Sequence, residues 1–142
     1  MDEDLIRELV LARAAALGEK DAKGMVAAFA EEAVDFTLAP PLQQPLDARN
    51  TLPVEQWLAG FSGPMSMEIR DLQVTAGEEV AFCTSLNCLT ATPVGSEESF
   101  SLWFRSTLGL RKLDGEWQVV HNHESVPFEM DGSLRASVGL EP

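Results

Sequence analysis

The sequence predicts an α+β domain, a cone in which three N-terminal helices pack on the concave face of a curved, mainly antiparallel sheet. Three observations predict it. Helical spacing of apolar residues is confined to roughly the first 62 positions. After Pro64 the chain reads as strands, broken only at Gly77, Pro93-Val94-Gly95 and Asp114-Gly115. With 142 residues, 45% hydrophobic and 23% charged, the chain has the size and balance of one globular domain with a single substantial core.

The elements follow in order. Asp2, Glu3 and Asp4 place negative charge where a helix N-terminus favours it, and Leu5, Ile6, Leu9, Val10, Ala16 and Leu17 recur at helical spacing up to Gly18. This predicts a first helix over about residues 3–17. Asp21 caps a second, with Met25, Val26, Phe29 and Ala30 on its buried stripe and Ala33 near its end. Val34 to Leu38 alternates as a short strand that stops at Pro40-Pro41, where no ladder donor exists. Residues 39–52 form a long irregular loop, of a length that often marks a binding loop. Pro53 opens a third helix carrying Val54, Trp57, Leu58 and Phe61, and it closes near Gly60 to Gly63. Strands are then expected over about 65–75, 79–92, 98–113 and 116–126, followed by a loose tail from about 129.

Asp114-Gly115 is a two-residue hairpin signal, because a type I′ turn needs positive φ at both central positions. Pairing Leu113 with Glu116 and continuing without interruption sets Leu108 opposite His121, Ser106 opposite His123 and Phe104 opposite Ser125. One face then carries Phe104, Leu108, Leu110, Trp117, Val119, His121, His123 and Ser125. The other carries Trp103, Arg105, Thr107 and Glu124, with Arg105 facing Glu124 as a cross-strand charge pair. Both histidines are thereby expected on the apolar, inner side, and a single β-bulge would reverse that assignment.

Charge narrows the partners. Ten Lys plus Arg stand against 23 Asp plus Glu, a formal net charge of −13, so neither nucleic acid nor an anionic membrane surface is expected as a partner. No run is long enough to span a membrane, and the acidic start lacks the features of a secretory signal, so a cytoplasmic protein is expected. Cys83 and Cys88, five apart in one strand, project to opposite faces and are read as two reduced, buried thiols.

The order of elements and the string Asp114-Gly115-Glu-Trp117-Gln-Val-Val-His121-Asn-His123-Glu-Ser125 resemble the SnoaL-like and ketosteroid-isomerase-like branch of the nuclear transport factor 2-like superfamily. Phe29-Ala-Glu-Glu-Ala-Val-Asp-Phe36 matches the pattern those proteins use on entering the first strand, and the histidine string also resembles the association domain of calcium/calmodulin-dependent kinase II. The resemblance implies the cone fold but leaves function open, since that fold hosts isomerases, dehydratases, cyclases, hydrolases and assembly modules. Ketosteroid isomerases use a strand-end Asp with a Tyr and a protonated Asp. This chain has no Tyr, and Thr37 or a neighbour falls near the position of the shuttling Asp.

Two functional readings follow. In the first, a mostly apolar pocket binds an apolar small molecule and does acid–base chemistry with His121, His123 and Asp35 as candidate catalytic groups. Phe36, Leu38, Trp57, Phe61, Phe104, Leu108 and Ser125 are the expected lining. In the second, the histidines are structural, bonded to Ser106 and Ser125, and the chain is a non-catalytic binding or assembly module. Asp35 is either a buried base or an edge charge, depending on the face it takes. No metal site and no cofactor are expected, because no ligand cluster of diagnostic spacing accompanies the histidines. A homodimer is expected through the outer sheet face carrying Trp103, Arg105 and Glu124.

Overall fold

The computed structural model describes residues 1–142 and orders its elements as α1 (Asp2–Gly18), α2 (Ala22–Val26), β1 (Phe29–Phe36), α3 (Leu52–Leu58), β2 (Phe61–Ala76), β3 (Val80–Pro93), β4 (Phe100–Leu113) and β5 (Glu116–Ser125). The expected α+β class is what the chain adopts. Five strands form one sheet in the order β1-β5-β4-β3-β2, antiparallel throughout except that β1 runs parallel to β5. No helix is long and apolar enough to cross a membrane.

The second helix is shorter than its apolar spacing suggests. Asp21 does cap it, accepting a hydrogen bond from the Gly24 backbone N–H at 3.1 Å. It ends at Val26, however, and Phe29 to Phe36 belong to β1, where Phe29 pairs with Val119. Pairing along β5 satisfies the backbone of this segment and overrides a helical pattern of only a few apolar residues. Pro40-Pro41 is a cis peptide in the loop that follows, and Gln44 folds back so that its N–H reaches the Asp35 carbonyl at 2.9 Å.

The Asp114-Gly115 turn has positive φ at both residues, and pairing runs as expected from Leu113↔Glu116 to Leu110↔Val119. There the ladder slips. Gly109 pairs with His121, Leu108 with Asn122, Thr107 with His123, Ser106 with Glu124 and Arg105 with Ser125, so Val120 is an extra residue on β5. This β-bulge exchanges the faces of everything beyond it. His121, His123 and Ser125 lie on the outer face with Arg105, while Asn122 and Glu124 share the inner face with Leu108 and Ser106. The expected inner placement of the histidines and the Arg105–Glu124 pair are therefore both corrected. Arg105 instead donates from Nε to the Ser125 hydroxyl at 3.1 Å.

Packing on the inner face divides into two apolar clusters. Near the hairpin end, Ile6 and Val10 of α1 meet Ala81, Cys83, Leu108, Leu110, Trp117 and Val119. Toward the other end, Leu17, Leu58, Met65, Leu89, Ala91 and Phe104 form the second. Both cysteines are free and buried. The tail makes an isolated bridge, Phe128↔Ala136, and the Ser137 N–H reaches the Pro127 carbonyl at 2.7 Å.

Candidate active site

Between the two apolar clusters the inner face turns polar. Inward positions of β3, β4 and β5 supply Ser85 and Asn87, Ser106, and Asn122 and Glu124, and β1 adds Asp35. Asp35, Asn87, Ser106 and Asn122 are all buried. The helix contributes to the same band, because Ile6, Val10, Arg13 and Leu17 follow one another at i+4, i+3 and i+4 on one stripe. Ile6 and Val10 enter the first cluster and Leu17 the second, which leaves Arg13 at the level of the polar band.

The centre of the band is a carboxylate held by an amide. Asn122 Nδ2 donates to Asp35 Oδ1 at 2.8 Å, with the residues 1% and 8% exposed, respectively. Because the carboxylate only accepts, the Asn122 amide must present its nitrogen to it, and Oδ1 is then left fully buried with no partner. A buried acceptor without a donor costs about 1–3 kcal/mol, which invites a donor from elsewhere. Glu124 stands two residues along. Burial pushes its carboxyl above the ordinary glutamate value, the Arg13 charge pulls it back, and the Asp35 charge raises it again. Ser85 donates to Asn87 Oδ1 at 2.7 Å, fixing the far end of the band. Burial also pushes the Cys83 thiol up to about 11, so it is a protonated core group rather than a nucleophile.

Of the expected site residues, Asp35, Phe104 and Leu108 face the interior. Phe36, His121 and His123 gather on the opposite face. Phe36 meets the two imidazoles edge-on at 5.1 and 5.4 Å, and His121 Nδ1 lies 2.8 Å from the Val34 carbonyl oxygen. Ser125 is bonded to Arg105 on that face and Leu38 is exposed. Trp57 and Phe61 pack edge-on at 5.0 Å beside the second cluster, with Trp57 half exposed. No group of three His, Cys, Asp or Glu side chains is arranged to hold a metal ion.

Arg13, Asn122 and Glu124 were not among the expected inner groups. A charged residue on the apolar stripe of α1 was the readable signal for Arg13. For the other two the signal is absent, because His-Asn-His-Glu-Ser is polar in either register and no apolar residue fixes the face beyond Val120.

The SnoaL-like domain family matches residues 6–129. In structure, the chain is similar to a nuclear transport factor 2-like protein of unknown function from Pseudomonas putida, with 31% identity over 99% of this chain and 96% of that one and a TM-score of 0.86. It is also similar to a Novosphingobium aromaticivorans protein provisionally named a scytalone dehydratase, at 14% identity over 99% and 95% of the two chains and a TM-score of 0.77. A ketosteroid isomerase-like protein from Erwinia carotovora shares 19% identity over 87% and 95%, with a TM-score of 0.70. No curated protein matches the chain.

Proposed function

The chain belongs to the SnoaL-like family, and on that premise we propose that it is an enzyme moving protons on a small carbonyl compound, with Asp35 as base and Glu124 as acid. The observation that carries the reading is the Asp35–Asn122 pair with its vacant buried acceptor, beside a carboxyl that burial pushes toward its protonated form. Two carboxyl groups whose surroundings differ in this way divide the roles of base and acid between them.

In the proposed reaction Asp35 takes a proton from the carbon next to the carbonyl, and Asn122 keeps the carboxylate aimed. Glu124 gives its proton to the oxygen on which negative charge develops. For a β-hydroxy carbonyl, Glu124 protonates the departing hydroxyl instead, so that water leaves and the carbon–carbon double bond forms. Dehydration and isomerisation, the reactions named for two of the structural neighbours, share this first step. The outer face, with Trp103 under Arg70 at 4.5 Å and the Phe36 and histidine rings, is proposed as the interface of a homodimer.

The test is deuterium exchange at the α-carbon of a panel of cyclic ketones and β-hydroxy ketones, followed by NMR in heavy water. Catalysed exchange by the native chain is expected, and Asp35→Asn should slow it by about 100-fold or more, the usual worth of a positioned base. His123→Gln should leave it nearly unchanged. Loss of exchange in the histidine variant with retention in Asp35→Asn would overturn the assignment.

A further inference from the structure

We infer that Arg13 is a recognition group for a carboxylate on the substrate, so that among small carbonyl compounds the polar band prefers those that carry an acid group over neutral ones. The inference refines the acid–base reading above by naming the substrate class.

Arg13 is placed for the task and otherwise uncommitted. Arg7, Arg70 and Arg105 each donate a hydrogen bond within the chain, and Arg49 pairs with Glu31. Arg13 takes part in none of the ion pairs, although Glu124 and Cys83 both feel its charge. Its guanidinium carbon lies 5.0 Å from the centre of the buried Phe29 ring, a cation–π contact that anchors the side chain without using its N–H groups. The guanidinium fork matches the two oxygens of a carboxylate.

The other side of the band asks for the opposite partner. Asn122 Oδ1 is buried, lacks a donor, and lies next to the Asp35 carboxylate. A ligand that satisfies both ends therefore carries an anionic acceptor at Arg13 and a hydroxyl or N–H toward Asn122. The chain as a whole repels anions, with its net charge of −13, so an arginine on an otherwise apolar helix stripe is the local feature that would reverse the preference.

The probe pair is 3-hydroxybenzoate and its neutral amide, titrated into the full chain and followed by ligand-observed NMR, which reads binding without turnover. The native chain should prefer the acid by at least about tenfold, the worth of one charge-assisted hydrogen bond. Arg13→Met keeps the apolar stem over Phe29 and should abolish the preference, while Arg13→Lys should retain part of it. Asp35→Asn should keep the preference even where it stops α-carbon exchange, which separates this inference from the catalytic assignment. Equal binding of acid and amide by the native chain overturns it, as does no binding of either at millimolar concentration. That comparison stands whether or not the methionine variant folds.

Discussion

Glu124 has a consequence for stability that can be read separately from any reaction. Its carboxyl titrates higher in the folded chain than in an unfolded one, chiefly because burial disfavours the charge. The folded state thus holds a proton that the unfolded state releases at lower pH. The associated stability is complete below the unfolded value, about 4.3, and is lost as pH rises through the raised folded value. Glu124→Gln removes this dependence. Urea midpoints of the two chains should diverge with rising pH in favour of the glutamine variant, and the variant's advantage should shrink toward acidic pH. Parallel profiles would mean that the carboxyl is solvated in the folded chain. At this scale the sequence was partly legible. The alternation of β1 sets Asp35 on one face and Val34 and Phe36 on the other, but nothing in an isolated eight-residue strand says which side will meet the helix.

Among the elements, α2 offers a test in which the usual sign of a substitution reverses. Replacing glycine with alanine inside a helix normally gains about 0.5–1 kcal/mol. Gly24, however, has the Asp21 carboxylate and the Ala16 methyl against it: an added Cβ would lie 2.5 Å from Asp21 Oδ2 and 2.9 Å from Ala16 Cβ. To relieve the contact Asp21 must rotate away from the Gly24 N–H it caps, at a loss of about 1 kcal/mol, and α1 must shift against α2. Gly24→Ala should therefore destabilise by about 1–2 kcal/mol in urea unfolding. A stabilised variant would show that the cap is not formed. The same contrast between local rule and neighbour explains how far the elements could be read. Hairpin chemistry fixed β4 and β5 as far as Val119, because Asp114-Gly115 dictates the turn and apolar residues alternate on both strands. Val119-Val120 carries no glycine or proline to announce a bulge, and the polar residues after it fit either face.

For the whole molecule, the outer sheet face is where a second copy is expected. Trp103 stacks under Arg70, Leu86 lies in the next strand, and the Phe36, His121 and His123 rings group at the β1 edge. Glu124, once expected there, is absent from that face, which removes one buried carboxylate from any contact between copies. Two like chains each carrying −13 repel as they approach, so association must rest on the apolar and aromatic part of the surface. Sedimentation equilibrium at micromolar concentration should accordingly show a dimer that tightens as salt rises from about 0.02 to about 0.5 M, where the screening length falls from roughly 20 Å to a few Å. Trp103→Glu should give a monomer with unchanged far-ultraviolet circular dichroism, since this side chain points away from the inner clusters. A dimer that weakens with salt would indicate an interface of charge pairs instead, and a chain that stays monomeric at all salt concentrations would leave the aromatic face to another partner.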